Sequence, residues 1–281
     1  MPTLFAQSAS GAWTWKGGKN GKNFHGSYGV MGVSSPSNAP PGLYEASEWQ
    51  DLQGNFWLYG GDRLGIPVND LWKFNINTQQ WVWVSGAMLQ GSMIPQYGSI
   101  GVPSNTNSPG FRQTSSSWVD LQGSFWLYGG FSYDTSGVSA MDSYSDLWKY
   151  DPNMNTWTWM KGSKFTSGIA NYGNKGVEAM TNLPPRMDET NLTWTDVTGD
   201  LWLMDKSACL WKYRITTNNW IWIKGNFPAN PAVYGVKGQP SLLNNPGVTY
   251  VNFTRWKDSS GNFWYYDGLL WKYEIQNNSW T

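Results

Sequence analysis

Apolar and polar side chains alternate over short segments of this chain, and the apolar positions carry mostly aromatic and β-branched residues. The segments 56–59 and 81–84, with sequences FWLY and WVWV, are clear examples. A period of two is typical of strands that bury one face. For the first group of segments we predict strands a, b, c and d over residues 46–51, 55–60, 70–75 and 80–84. No segment shows a helical period of useful length, so the fold class is predicted to be all-β.

This group of strands belongs to a repeat that occurs four times. Each unit contains, in order, Trp-x-Trp, Tyr-Gly-x-x-Gly, a Pro-rich turn, Trp-x-Asp-x-x-Gly, and Leu-Trp-Lys followed by Tyr or Phe. After a tail over residues 1–12, units of about 13–80, 81–156, 157–219 and 220–281 form a single predicted domain. Asn- and Gly-containing turns join the strands. Repeated units of four antiparallel strands predict the blades of a β-propeller.

The repeat accounts for the 21 tryptophans of the chain. Five positions in each of four units hold twenty of them, and Trp280 begins a further Trp-x-Trp. Because each position recurs in the same place, we predict that these rings pack in the core and do not bind ligands.

Paired glycines at the end of strand b, followed by Asp-Leu-Trp-Lys and by a tryptophan on strand d, resemble the kelch repeat. The residues that carry the resemblance are Gly60-Gly61 with Trp72 and Trp81, and Gly129-Gly130 with Trp148 and Trp157. Asp205-Lys206 and Asp267-Gly268 replace the glycine pair in the last two units. The resemblance implies a propeller of kelch-type blades, similar to the long-unit arrays of many secreted or surface proteins. It therefore favours an extracellular or cell-surface location over a cytoplasmic one.

The kelch resemblance extends to the propeller of galactose oxidase, whose copper site contains histidines, tyrosines and a cysteine. This chain has one histidine, His25, and one cysteine, Cys209, and Cys209 stands where other units have Asp70 or Asp146. The copper site is therefore not expected, and neither are a disulfide, a cysteine zinc site or a histidine-based triad. We expect no metal, no cofactor and no enzymatic activity. A glycoside hydrolase using carboxylates in the central channel is the least favoured alternative.

Two charged positions of the repeat also have structural interpretations. The aspartates of Trp-x-Asp are predicted to accept backbone N–H groups at the a–b turn, as in an Asp-box, because one per blade does not make an acid–base pair. The lysines of Leu-Trp-Lys are expected to point outward or to lie over aromatic faces. These residues are Asp51, Asp120, Asp196 and Asp258, and Lys73, Lys149, Lys212 and Lys272.

The charge balance and the lack of long apolar stretches argue against nucleic acid and the membrane as partners. The 19 basic and 19 acidic side chains cancel, so the chain has no net field that would gather nucleic acid. No stretch reaches the 18 or more apolar residues of a membrane-spanning helix, so membrane insertion is not expected. The opening residues do not have the pattern of a signal peptide.

The connections between strands point to a candidate binding surface. The b–c loops vary, with 8, 15, 2 and 0 residues, whereas the d–a connections have 30, 31, 31 and 30 and are expected to be ordered. We predict that the face formed by the b–c and d–a loops binds a protein or carbohydrate partner. The candidate residues are Asp62, Arg63, Arg112, Phe131, Tyr133, Asp134, Tyr144 and Arg186. The alternatives are that the insertion at 131–145 contacts nothing, and that the arginines stack on aromatic rings or bond carbonyls.

A different class of function stays open beside binding, namely a structural unit of a larger array or a self-assembling surface polymer. The segment Trp13-Thr14-Trp15 either completes the last blade or belongs to such an array. Three sequences match the N-glycosylation acceptor, at Asn191, Asn252 and Asn277, and Asn277 lies on a predicted c–d turn.

Overall fold

The computed structural model describes residues 14–18, 23–88, 94–133, 141–164, 168–187, 192–228, 230–247 and 254–281. These residues contain twenty strands and no helix. Sixteen of the strands form four antiparallel four-stranded sheets, arranged as a four-bladed β-propeller. The predicted fold class is confirmed. None of the described residues forms a helix that is long and apolar enough to span a membrane.

Each blade contains strands a, b, c and d in that order. Blade 1 consists of β1 (Ser47–Gln50), β2 (Phe56–Tyr59), β5 (Leu71–Asn75) and β6 (Gln80–Ser85), and blade 2 of β7 (Ser116–Val119), β8 (Phe125–Tyr128), β11 (Leu147–Asp151) and β12 (Thr156–Lys161). Blade 3 consists of β13 (Leu192–Thr195), β14 (Leu201–Met204), β15 (Leu210–Arg214) and β16 (Asn219–Lys224), and blade 4 of β17 (Thr254–Lys257), β18 (Phe263–Tyr266), β19 (Leu270–Glu274) and β20 (Ser279–Trp280). The strands predicted for the first unit agree with blade 1 to within a residue or two at each end.

Two of the b–c connections contain small hairpins. The hairpin on blade 1 pairs β3 (Asp62–Arg63) with β4 (Ile66–Pro67), and the hairpin on blade 2 pairs β9 (Phe131–Tyr133) with β10 (Met141–Ser143). The corresponding connections of blades 3 and 4 are short turns. One face of the propeller is therefore uneven, with two hairpins on neighbouring blades.

The a strands lie innermost, since β7 packs against both β1 and β13, and β13 packs against β17. Side chains of β7 and β13 reach the backbone of the a strand of the preceding blade. Ser117 Oγ donates to Glu48 O at 3.2 Å, and Thr193 Oγ1 donates to Ser117 O at 3.0 Å. These bonds fix the spacing of the blades around the axis.

Aromatic side chains fill the spaces between consecutive blades. At the first interface, Trp49, Trp57, Tyr59 and Leu71 of blade 1 pack on Phe125, Leu127, Trp148, Tyr150 and Trp157 of blade 2. The same positions meet at the second and third interfaces. The prediction that the recurring tryptophans form the core is confirmed for most of them, but Trp15 and Trp256 are exposed. Burying a large aromatic ring contributes several kcal/mol, at about 25 cal/mol per Å².

Each long connection packs on the outer edge of the blade that follows it in sequence. A backbone bridge joins the connection to strand d in every blade, as between Ser35 and Trp81. A buried asparagine then donates through Nδ2 to the carbonyl of that tryptophan; the four are Asn38, Asn107, Asn182 and Asn244. The expectation that these connections are ordered holds for the parts that the structure describes.

The position of strand d in blade 4 is occupied by β20, which pairs with β19. Residues 14–16 form no strand, and Trp15 is exposed. The segment 14–16 therefore does not complete blade 4.

Candidate functional site

The repeated carboxylates at the a–b turns are committed to holding those turns. Asp51 Oδ1 accepts the N–H groups of Gln53 and Asn55, and its Oδ2 accepts Trp57 Nε1–H at 2.9 Å. Burial alone would raise the pKa of Asp51, but the bonds from Trp57 and Asn55 outweigh it, and the pKa lies below its ordinary value. Equivalent bonds are made by Asp120, Asp196 and Asp258. The predicted structural role is confirmed.

The repeated lysines lie over tryptophan rings, as predicted. Their Nζ atoms are 5.1 to 5.8 Å from the ring centroids of strand b tryptophans, in the pairs Lys73–Trp57, Lys149–Trp126, Lys212–Trp202 and Lys272–Trp264. Lys212 also forms an ion pair with Asp196 at 3.0 Å. Carboxylate, ring and ammonium thus form one structural group on each blade.

A buried ion pair lies beneath the hairpins, at the boundary of blades 1 and 2. Arg112 Nη2 is 2.7 Å from Asp146 Oδ2, and both side chains are fully buried. Asp146 Oδ2 also accepts bonds from Tyr97 OH and Trp148 Nε1. The guanidinium lies 3.6 Å from the centroid of the Tyr144 ring. Burial would lower the pKa of Arg112, but the charge of Asp146 keeps it above its ordinary value.

Related carboxylates occupy the same place in the neighbouring blades. Asp70 accepts bonds from Tyr28 OH and Trp72 Nε1 in blade 1, and burial raises its pKa. Blade 3 uses Asp205, which accepts Trp211 Nε1–H at 2.9 Å and Tyr172 O–H at 3.4 Å.

When the repeat units are aligned, Cys209 stands at the position of Asp70 and Asp146. In the structure, the carboxylate at this place belongs to Asp205, four residues earlier in the sequence. Burial, together with the charge of Asp205, raises the pKa of the Cys209 thiol to about 12. The thiol is buried and protonated at neutral pH.

Most of the candidate binding residues lie inside the protein. The side chains of Asp62, Arg63, Arg112, Phe131 and Tyr144 are buried. Arg63 donates to Met88 O at 3.4 Å, and Arg112 donates to Phe111 O at 3.0 Å, in agreement with the alternative that the arginines bond carbonyls and stack on rings. Arg186 is exposed, and Tyr133 belongs to strand β9. Asp134 lies outside the described residues.

Of the three possible glycosylation sites, Asn191 and Asn252 also lie outside the described residues. Asn277 is exposed on the c–d turn of blade 4, where its Nδ2 donates to Glu274 Oε2 at 2.9 Å.

Both hairpins are anchored at their bases to the long connections. Gly61 N donates to Arg112 O, and Gly130 N donates to Met187 O. Tyr44, which bridges to Asp62 at the base of the first hairpin, and Leu64 at its tip have exposed side chains. We call this region, residues 44 and 62–67 with 131–133 and 141–143, the hairpin face. The sequence reasoning missed Tyr44 and Leu64 because they follow no repeat signal.

A second surface feature is a groove of about 540 Å³ beside the innermost strands. It is lined by Glu48, Thr193, Thr195, Arg255 and Lys257, among others. Arg255 Nε donates to Thr193 O at 2.7 Å, and Lys257 Nζ donates to Thr195 O at 2.8 Å. The equivalent positions of blades 2 and 3 carry Ser, Val and Thr, so these cations depart from the repeat. We call this feature the axial groove.

Comparison with known proteins adds no family to this picture: no family model matches the chain, and no curated protein matches it. Fold and core together define an all-β propeller with aromatic interfaces between its blades. Among the described residues, no group of three or more His, Cys, Asp or Glu side chains is placed to hold a metal ion.

Proposed function

We propose that this chain is a non-enzymatic, kelch-type propeller module that binds a protein partner through the hairpin face. The observation that carries the proposal is the unevenness of that face. Two hairpins stand on neighbouring blades above a buried ion pair, whereas the other two blades have short turns. Loops that vary on a constant scaffold are where propellers and similar folds carry recognition.

The kelch assignment is supported by what the glycine pairs do in space. Gly60 and Gly61 both have positive φ angles, 65° and 87°. A Cβ atom on Gly60 would lie 2.6 Å from Arg112 O, and one on Gly61 would lie 2.9 Å from Tyr44 O. Side chains at these positions would separate the hairpin from the adjoining connection. The diglycine therefore has a structural role at the base of the hairpin face.

Binding is favoured by a face that is ordered before a partner arrives. The backbone bonds at Gly61 and Gly130 fix the hairpin bases, so binding would not have to order them. Tyr44 and Leu64 then offer exposed apolar area, and aromatic side chains are enriched among the strongest contacts of protein interfaces. Catalysis is disfavoured because the repeated carboxylates are engaged by backbone N–H groups and indoles of their own blades.

An array of folded proteins and an array of glycans, both probed with the purified chain, test this proposal. We expect a protein ligand whose dissociation constant, measured by calorimetry, rises about tenfold or more in a Tyr44→Ala, Leu64→Ser double variant. The matched control is Met154→Ser, an exposed side chain on a c–d turn of the opposite face. No binding on either array, or an equal loss of affinity in the control variant, would count against the proposed binding module.

The axial groove favours a second candidate, the binding of an acidic carbohydrate. Because Arg255 uses Nε for its bond to Thr193, its two Nη atoms remain able to hold a carboxylate or sulfate in a fork. Calorimetry with uronic-acid and sulfated oligosaccharides, set against neutral ones, tests this candidate. Binding to acidic oligosaccharides alone, lost in Arg255→Gln with Lys257→Gln, would support it, and equal binding to neutral ones would refute it.

A further inference from the structure

Blade 4 exposes the positions through which every other blade packs on its successor. In blade 3, these positions are Trp194, Trp202, Met204 and Leu210, and all four are buried against blade 4. In blade 4, the equivalent residues are Trp256, Trp264, Tyr266 and Leu270. Trp256 is 42% exposed, Tyr266 48% and Leu270 55%, and Trp264 is half-buried. A face that is core in three blades is thus open to solvent in the fourth.

Blade 1 exposes the matching positions on its other side. In blade 2, the residues that receive blade 1 include Phe125, Leu127, Tyr150 and Trp157, and all are buried. Their equivalents in blade 1 are Phe56, Leu58, Phe74 and Trp81. Phe56 is 47% exposed, and the other three are half-buried. Between the described strands of blades 4 and 1 there is no packing comparable to that of consecutive blades.

The three interfaces inside the propeller show that these two open faces fit each other. In each interface, one blade contributes four residues: a tryptophan from strand a, a tryptophan and one further residue from strand b, and one residue from strand c. These four residues pack on the aromatic face of the next blade. The open face of blade 4 has the first set of residues, and the open face of blade 1 has the second. They are two halves of the same interface that the chain already forms three times.

We propose that a second copy of this chain occupies this interface, with its blade 1 packed on blade 4 of the first copy. Each copy carries both halves, so the association is head-to-tail. The rotation between copies then decides between a closed ring and an open array. The inference does not depend on the hairpin face and goes beyond the proposed partner binding.

The size and order of the two faces suit a stable association. With about 150–250 Å² of area for a large aromatic side chain, the eight residues together can bury on the order of 1,000 Å². Their rings are already arranged within each copy. Trp256 stacks on Trp264 with a centroid distance of 6.4 Å, and Phe56 stacks on Phe74 at 6.4 Å. Little side-chain freedom would be lost when the faces meet.

Two single substitutions test the proposal, because a head-to-tail interface can be blocked from either side. Leu270→Glu blocks the face of blade 4, and Phe56→Glu blocks the face of blade 1. Both side chains are about half exposed in the single chain, so the fold should tolerate the charge. In light scattering, we expect the mass of the wild-type chain to rise with concentration to dimers or larger species. Each variant alone should stay monomeric.

The decisive sample is an equimolar mixture of the two variants. It contains one intact face of each kind and should give a one-to-one heterodimer and nothing larger. Met154→Glu, on a turn far from both faces in sequence, should associate as the wild type does. A wild-type chain that stays monomeric at all concentrations would overturn the proposal. This holds whether blades 1 and 4 of the same chain close on each other or further blades cover the two open faces. Wild-type association without a heterodimer in the mixture would place the contact elsewhere and would also overturn it.

Discussion

Arg112 and Asp146 are separated by 33 residues in the sequence and meet in a fully buried ion pair of 2.7 Å. Arg112 comes from the connection that precedes blade 2, and its own backbone carbonyl accepts the N–H of Gly61 in blade 1. Asp146 directly precedes strand c of blade 2, which begins at Leu147. The pair thus joins the base of the hairpin face to the boundary between two blades.

Removal of one partner of this pair should strongly destabilise the protein. We expect Arg112→Ala to lower the free energy of unfolding by about 3–5 kcal/mol, because Asp146 would be left as an uncompensated buried charge. Urea unfolding followed by tryptophan fluorescence measures the change. Replacing both partners, with Arg112→Met and Asp146→Leu, should recover much of the loss. Lys237→Ala, at an exposed position, should change stability by less than about 0.5 kcal/mol. A loss of that small size in Arg112→Ala would show that the pair is not buried in solution.

The glycine pair of blade 1 predicts a difference between two alanine substitutions in the same hairpin region. Gly60 and Gly65 both have positive φ, 65° and 83°, but only at Gly60 would a Cβ meet backbone atoms, 2.6 Å from Arg112 O. Gly65→Ala should therefore cost about 1 kcal/mol from backbone strain alone, and Gly60→Ala clearly more. Thermal unfolding of the two variants makes the comparison, and equal costs would contradict the close approach seen at Gly60.

The carboxylates of the a–b turns predict a loss of stability in acid. Hydrogen bonds from Trp264 and Asn262 lower the pKa of Asp258 to about 2, and the pKa values of Asp51 and Asp196 are also lowered. A carboxyl with a depressed folded pKa contributes stability above its unfolded value of about 3.9, and this is lost as the pH falls through the folded value. The free energy of unfolding, measured in urea, should therefore fall between about pH 4 and pH 2. Asp51→Asn should reduce the slope of this fall.

Asp70 should act in the opposite direction and supplies a control. Burial raises its pKa, so the ionised form opposes folding near neutral pH, and protonation relieves this cost as the pH falls through the raised value. This compensation acts above the unfolded value of about 3.9, so between neutral pH and about pH 4 the stability of Asp70→Asn should decline more steeply with falling pH than that of the wild type. A shallower slope in Asp70→Asn would contradict the assigned direction.

The buried asparagines of the connections give a further prediction. Asn182 is buried, and its Nδ2 donates to Trp220 O at 2.9 Å and to Val177 O at 2.8 Å. Asn182→Ala should cost about 2 kcal/mol because the buried carbonyl of Trp220 and the part-buried carbonyl of Val177 both lose their partner. Hydrogen exchange should then increase at Gly176, whose N–H donates to Trp222 O of the same edge. Unchanged exchange at Gly176 would show that the connection is held without Asn182.

Some features of the candidate site could be predicted from the sequence and others could not, and the same physical reason separates the two groups. The turn role of Asp51 was predicted, and the position of Lys73 over an aromatic face was one of two predicted alternatives, because each involves residues of one blade in a repeated pattern. The burial of Arg112 was not predicted, since a charged residue in a connection is ordinarily exposed and its partner lies in another segment. The use of Asp205 in place of Cys209 was also missed, because the repeat aligns Asp205 with the first glycine of the glycine pair and not with Asp70 or Asp146.

The sequence by itself determined the all-β class, the four repeated units, the strands of each blade, and the aromatic core, with the exception of rings such as Trp256. It could do so because periodicity, turn residues and burial of large rings act within a few residues of each other or repeat unchanged from unit to unit. Only the tertiary structure decided which connections cover which blade, where the ion pair lies, and which blade faces stay open. Those features depend on contacts between segments that are distant in the sequence. The free energy of such contacts cannot be read from a local sequence pattern. The exposed face of Trp256, Tyr266 and Leu270 is the clearest case, because its sequence is that of a core.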